Sequence, residues 1–419
     1  MMARIPLNTD EFAPSAVTFL GNPELTSKVT RSAGHRVRSV SDTVRIAESQ
    51  LRPLGITRIA DITGLDVLGI PVYNSVRPTA ADGNLTVTSG KGMTSLAART
   101  SAIMEAIERY YGEPQGRSGI TCSLNELRQR GQLALDPRRL ILERDVKFGS
   151  ETPIEWVPAR ELTRDRIVYV PAGSIFVPYE SQPRLFGSSS NGLASGNSLP
   201  EATLHALLEV IERDATAFAE LAGSGFEISR NTLPQPALDL VEAMESANID
   251  VIVRYLESDS GLPTFHVFID DTMSGDPMLI NGGFGCHPDP LVGVCRALTE
   301  AAQSRLSVIS GAREDLVEQE QMRTAGYSDI RSRLASWFEK WPERSFQEID
   351  DLSRPTIAED LSMVISNLRK AGLRVVLACN LAAAERDLAV VRAVVPGLEV
   401  AHTQRKRIGP RLTRALNTI

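Results

Sequence analysis

The chain has 419 residues, and 45 Lys and Arg set against 52 Asp and Glu give a formal net charge of −7. At 42% hydrophobic and 23% charged it carries enough apolar side chain for a core, which excludes wholesale disorder. The mild acidity gives no electrostatic reason to bind nucleic acid, the basic run Arg405-Lys406-Arg407 is too short to change that, and no apolar run approaches the ~20 residues that span a bilayer.

Residues 1–38 read as irregular, with scattered Pro, Gly and Ser. A helical pattern starts near Ser41-Asp42 and stops at Pro53. Thr57–Ile62 and Val67–Val76 read as strands, and residues 85–88 as a third that runs into Ser89-Gly90-Lys91-Gly92. A helix opens near Thr94 and ends around Gly112. The small-residue loop Asn191-Gly192-Leu193-Ala194-Ser195-Gly196-Asn197 leads to Ser198, a good N-cap, with Pro200 and Glu201 in the first turn. That helix runs to about Ala222. A helix over Ala237–Ala247 precedes strands Val251–Leu256, Thr264–Ile269 and Met278–Gly282. A long helix follows Asp289-Pro290 to about Ile309, and a late set covers helix Ile357–Ala371 and strands Arg374–Asn380 and Leu388–Val395. Paired strands alternating with helices predict an α+β fold of ferredoxin-like pieces with antiparallel or mixed sheets, not a doubly wound sheet.

The cysteines, Cys122, Cys286, Cys295 and Cys379, are too few for a disulfide scaffold in a chain this long. Cys286-His287 with Cys295 fits no standard zinc spacing. The start, Met1-Met2-Ala3-Arg4-Ile5-Pro6, lacks the apolar core of a secretory signal. A reducing cytoplasm is the expected setting.

The most informative feature is an internal echo. Residues 92–110 and 196–214 align without gaps at an offset of 104, with seven identities in nineteen positions, including Glu105/Glu209, Glu108/Glu212 and Arg109/Arg213. Chance would give roughly one. A fainter copy lies 91 residues further on, where Ala297-Leu298 matches Ala206-Leu207, Glu300 matches Glu209 and Gln303 replaces Glu212. Three helices therefore carry Glu-x-x-Glu or Glu-x-x-Gln, and i,i+3 spacing puts both side chains on one face. One such pair is ordinary on a solvated helix edge. Here the carboxylates sit inside apolar turns such as Ala102-Ile103-Met104-Glu105-Ala106-Ile107-Glu108, where like charges one turn apart need a compensating cation. Clustered carboxylate oxygens suit Mg2+ shared with substrate phosphates. Glycine-bearing loops before the helices offer backbone N–H groups to phosphate, and Lys91 adds a positive charge. Gly-Lys-Gly is not a Walker A loop. The pattern points to an unusual nucleotide pocket in which carboxylates hold Mg2+ that bridges phosphates.

At these residues the sequence resembles the YcaO family. The matching segments are Ser89-Gly90-Lys91-Gly92 with Ser101 to Arg109, Asn191 to Asn197 with Glu201 and Glu209 to Asp214, Arg296 to Arg305, and Ser310 to Asp315. The resemblance spans about residues 40–400. It implies an enzyme that binds ATP and Mg2+ without a P-loop and activates a peptide backbone amide by phosphorylating its oxygen after a nucleophile has added. It assigns Glu105, Glu108, Glu201, Glu209 and Glu212 to Mg2+–ATP, with Glu105 and Glu209 in the catalytic set beside Arg305. It assigns Asn197, Lys91 and Ser101 to nucleotide binding, with Arg296 and Arg313 as phosphate contacts and Gln303 at a metal-bound water or the nucleotide. For the arginines a structural ion pair is the competing reading. His205, two turns before Glu212, reads as a packing or polar-edge residue.

Azoline-forming members often end in a proline-rich tail, and the end Pro410 to Ile419 does not match one. The segments Gly55-Ile56-Thr57-Arg58, Thr63-Gly64-Leu65-Asp66 and Gly69-Ile70-Pro71-Val72 look like stand-alone members that form thioamides beside a TfuA partner. The expected organisation is an irregular segment (1–38), one composite catalytic domain (39–400) and a C-terminal tail (401–419). The expected partners are a peptide or protein substrate, a TfuA-like or other delivery protein and a second copy in a homodimer, with no nucleic acid and no membrane.

Overall fold

The computed structural model describes residues 5–29, 34–180, 182–314, 318–382, 387–400 and 407–418. Asp315, Arg405 and Lys406 lie outside them. Helix α1 (Val40–Gln50) starts at Ser39, whose side chain accepts the Asp42 N–H. Strands β1 (Arg58–Asp61), β2 (Val72–Val76) and β3 (Val87–Lys91) form an antiparallel sheet, and helix α2 (Ser95–Gly112) follows. Strands β4 (Ile154–Glu161) and β5 (Arg166–Pro171) make a hairpin. Next come β6 (Leu193–Gly196), α3 (Leu199–Ala222), α4 (Gln235–Ser246), β7 (Asp250–Leu256), β8 (Thr264–Asp270), β9 (Asn281–Cys286) and α5 (Pro290–Ser310). The described chain closes with α6 (Ile357–Lys370), β10 (Leu377–Asn380), β11 (Ala389–Val394) and α7 (Pro410–Leu416).

The fold is α+β. A six-stranded antiparallel sheet contains Ile120–Cys122, β4, β10, β11 and β6 in order, with β5 on β4. A five-stranded sheet runs β9-β8-β7, then Gly225–Ile228 and, in parallel, Glu343–Arg344. Helix α2 lays Ile103 and Ile107 against Val157, Leu377 and Val390 of the larger sheet. Helix α3 packs Leu207 and Ile211 with Val391 of that sheet and Leu361 of α6. Helix α5 buries Leu298 and Ala301 with Phe265 and Val267 of the smaller one. Removing such side chains from water, at about 25 cal/mol per Å2, holds the three motif helices against rigid sheets.

The expected strand Val67–Val76 shortens to Val72–Val76, because the chain turns at Val67-Leu68, Gly69 is left-handed at φ 64°, and Pro71 has no N–H to give a ladder. The expected strand Met278–Gly282 moves forward. Asp276 caps a 3-10 turn over Pro277–Leu279 by accepting the Met278 N–H, and pairing begins at Asn281. The β4–β5 hairpin had no counterpart in the sequence reading. The segment expected to be irregular contains short helices at Thr9–Phe12 and Ala16–Leu20, capped by Asn8 and Ser15, and it buries Phe12 and Phe19.

Candidate functional site

Three strand–helix units, β3–α2, β6–α3 and β9–α5, meet at a cavity of about 610 Å3. Each helix start follows from local chemistry. The side chains of Thr94, Ser198 and Asp289 accept first-turn N–H groups, and Pro200 and Pro290 occupy positions where no N–H is needed. Glycine lets each strand lie flat on its helix: a Cβ on Gly90 would sit 1.9 Å from the Ala102 N, and one on Gly196 would sit 2.6 Å from the Ala202 N.

The echo then becomes geometry. Offsets of 104 and 91 carry Ser101 to His205 and Arg296, Glu105 to Glu209 and Glu300, Glu108 to Glu212 and Gln303, and Arg109 to Arg213 and Ser304. All twelve side chains line the cavity. The three units thus present the same four helical positions, one layer per position.

In the acidic layers, Glu105 Oε1 accepts from Arg109 Nε at 3.0 Å. Glu108 Oε2 accepts the Ser195 N–H at 2.9 Å, and Glu212 Oε2 accepts the Cys286 N–H at 2.9 Å. Glu300 is bonded to Lys91 Nζ at 2.5 Å and accepts the Phe284 N–H. Burial, reinforced by the charges of Glu105 and Glu209, holds the Glu108 carboxyl well above its ordinary range. Burial pushes Glu209 up to about 7, against the pull of Arg213. Burial also raises Glu212. For Glu300 the burial effect is outweighed by Lys91 and Arg213, and its pKa falls. Burial, then the positive charges of Arg296 and Arg36, keeps His205 neutral, well below the usual imidazole range.

The structure gathers Lys91, Ser101, Glu105, Glu108, Asn197, Glu201, Glu209, Glu212, Arg296, Gln303 and Arg313 on this one cavity wall. Glu201 is there with both oxygens already engaged. Oε1 accepts from the Asn197 N–H and Nδ2, and Oε2 accepts the Val37 N–H at 2.9 Å. Asn197 Oδ1 accepts from Thr43 Oγ1. Gln303 Nε2 donates to the Ser89 carbonyl at 3.0 Å.

Arg305 is the correction. It does not line the cavity. Its guanidinium is buried against Asp66, at 3.0 Å, and Asp271, at 2.9 Å, so it ties α5 to the β1–β2 connection and the turn after β8. Two residues beyond Gln303 is the opposite side of a helix, and that spacing was already a sign against an active-site role.

The sequence reading missed other wall residues. His35, Arg36 and Arg38 line the cavity from the segment expected to be irregular. Their signal was three basic or titratable residues in four, His35-Arg36-Val37-Arg38, just before a helix cap. Glu300, Arg109 and Arg213 were visible in the echo but were not carried into the site.

The residues fit a divalent cation with a phosphate-bearing ligand. Glu108, Glu209 and Glu212 all sit above their ordinary range because buried carboxylate charge is undercompensated. Among the described residues no three His, Cys, Asp or Glu side chains already converge as a closed metal cage. A cation here would take one or two carboxylates and complete its shell from the ligand's oxygens, which is how Mg2+ is commonly held. Lys91, Arg296 and Arg313 are cationic side chains on the same wall.

Comparison with known proteins gives the same direction. A family model described as YcaO cyclodehydratase, ATP- and Mg2+-binding, matches residues 89–399. An uncharacterised protein of Methanothermobacter thermautotrophicus is 40% identical over 385 residues, covering 90% of this chain and 98% of its own. A Rhizobium leguminosarum bv. trifolii protein described as uncharacterised, in the tfuA 3′ region, is 30% identical over 414 residues, covering 96% and 97%. Among solved structures, YcaO from Methanopyrus kandleri bound with AMPPCP and Mg2+ superposes with a TM-score of 0.73 at 26% identity, over 92% of this chain and 98% of that one. A heterocyclase in complex with substrate and cofactor gives 0.73 at 22% identity, over 90% of this chain and 55% of that one.

Proposed function

This chain belongs to the YcaO family, and from that premise we propose that it uses ATP to activate a backbone amide of a peptide or protein and, with a TfuA-like partner, exchanges the amide oxygen for sulfur. The observation that carries the ATP-dependent part is the layered acidic cavity, where Glu212 and Glu300 feel the charges of Lys91 and Arg296 on the same wall. The thioamide part is supported by the relative from a tfuA region, aligned over 97% of its length.

In this reading a hydrosulfide equivalent adds to the amide carbon, and the C=O π pair moves to oxygen. That oxygen takes the γ-phosphoryl group of ATP, releasing ADP. The C–O bond then breaks, phosphate leaves with the amide oxygen, C=S forms and the sulfur proton is lost. An amide oxygen is a poor leaving group, and phosphorylation removes that obstacle. Mg2+, when bound, supplies charge neutralisation at the phosphates. One or two carboxylates from Glu105, Glu108, Glu209 and Glu212 would hold it. Lys91, Arg296 and Arg313 balance phosphate charge, Asn197 and Ser101 orient the nucleotide, and Glu201 fixes Asn197 and the bend at Val37.

A second reading, azoline formation, is favoured by the family description and by the heterocyclase neighbour. Mass spectrometry of a substrate co-expressed with this protein and its partner separates the two. Oxygen-to-sulfur exchange adds ~16 Da, whereas dehydration removes ~18 Da, both by the phosphorylated-amide route. Absence of phosphate release above a Glu209→Gln control would sink both.

A further inference from the structure

The third layer of the cavity does more than face inward. Each of its side chains crosses to a strand of another unit. Glu108 of α2 accepts the Ser195 N–H of β6. Glu212 of α3 accepts the Cys286 N–H of β9. Gln303 of α5 donates to the Ser89 carbonyl of β3. The three bonds close a ring, first unit to second, second to third, third back to first.

Ser195 and Cys286 are themselves equivalent under the offset of 91, and the matching position in β3 is Lys91. The third link therefore departs from the pattern in two ways at once. It meets the strand two residues earlier, and it meets a carbonyl oxygen instead of an N–H. A carboxylate only accepts, so it serves the first two links; at the third it would first have to take up a proton, whereas an amide donates at any pH. We infer that Gln303 is a positioning residue whose amide closes this ring, fixing β3 against α5 and so placing Lys91 opposite Glu300. The replacement of Glu by Gln in the third copy is then a requirement for a donor and not a decay of the motif. Lys91 Nζ, bonded to Glu300 from two residues beyond Ser89, and Ser89 Oγ, 3.5 Å from Ser307 Oγ, are further ties between the same two elements.

The functional half of this inference rests on the nucleotide reading above; the structural half does not. The test compares the full-length protein with Gln303→Met, which keeps length but lacks a donor, and with Gln303→Glu, which keeps shape but sets oxygen against oxygen. Hydrogen–deuterium exchange of residues 87–91 without nucleotide reads the clamp, and binding of Mg2+·AMP-PCP reads its consequence. Both variants are expected to exchange faster in this strand and to bind the nucleotide roughly tenfold more weakly, with Gln303→Glu the worse of the two. A glutamine that merely fills space gives the opposite order, with the isosteric Gln303→Glu the milder. Weakened binding with unchanged strand exchange would mean that Gln303 acts on the nucleotide itself, which overturns the proposal. Faster exchange with wild-type binding also overturns it, because the clamp then positions nothing. Failure of the wild type to bind AMP-PCP would sink the nucleotide reading instead, and the exchange measurement still decides the clamp. Gln303→Met, being neutral and similar in size, keeps the test open if Gln303→Glu does not fold.

Discussion

Arg296 donates from Nη2 to His205 Nε2 at 2.9 Å, although the two residues hold equivalent positions in α5 and α3. A guanidinium has only donors, so Nε2 must be the bare nitrogen, and the proton sits on Nδ1, 3.4 Å from the Ser195 carbonyl. The pair is self-consistent only while the imidazole is neutral. His205 is therefore expected to be neutral at pH 7 in nitrogen-15 NMR, with Nε2 as the bare nitrogen. A titration near the ordinary 6.5 would contradict this geometry.

Glu209, raised from the ordinary 4.5 to about 7, links stability to pH in a definite direction. The folded protein prefers its protonated form. The resulting stability is complete below about 4.5 and is lost as pH rises through about 7. Binding of Mg2+ needs the charged form. The rise in melting temperature on adding Mg2+·AMP-PCP is thus expected to be larger at pH 8 than at pH 6, and equal shifts would contradict it. In the ligand-free protein, Glu209→Gln should melt a few degrees higher than wild type at pH 8 and level with it at pH 5, while losing ATP turnover. A residue kept for function at a cost in stability behaves this way.

Arg305 makes the opposite prediction. Removing its guanidinium leaves Asp66 and Asp271 facing each other, the first almost wholly buried. Arg305→Met should cost about 3–5 kcal/mol of unfolding free energy, measured by denaturant titration. At a temperature where the variant remains folded, its KM for ATP should change far less than that of Arg296→Met. A large rise in KM with unchanged stability would return Arg305 to the active site.

The cysteines should be dispensable as nucleophiles. Burial pushes the thiols of Cys286 and Cys295 up to about 12, and Cys379 is raised further by the same cause. Such thiols stay protonated at neutral pH and react slowly. Brief alkylation with iodoacetamide at pH 7 is expected to leave ATP turnover intact and peptide mass largely unshifted. Inactivation that tracks modification of one of them would assign it a role.

Much of this was legible because it is local. Thr94, Ser198 and Asp289 announce the three helices, and the offset of 104 announces that two of them carry the same face. What stayed hidden depends on distant partners. Gly34–Arg38 has no periodicity of its own; its course is set by Glu201, which accepts the Val37 N–H from 164 residues away in sequence, and by Arg38 donating to the Asp387 carbonyl. Arg305 was drawn toward the site by its neighbours in the motif, although its angle on the helix points it away. The β9 register was misplaced because Pro277–Leu279 is apolar enough to look like a strand, while the cap from Asp276 makes it a turn.

Because each unit contributes one side chain to every layer, the cavity can be retuned in unit steps. In the first layer, whose members are not part of the ring of strand clamps, a single substitution alters one third of the layer. The first layer, Ser101, His205 and Arg296, already runs from neutral hydroxyl through imidazole to full cation on one scaffold.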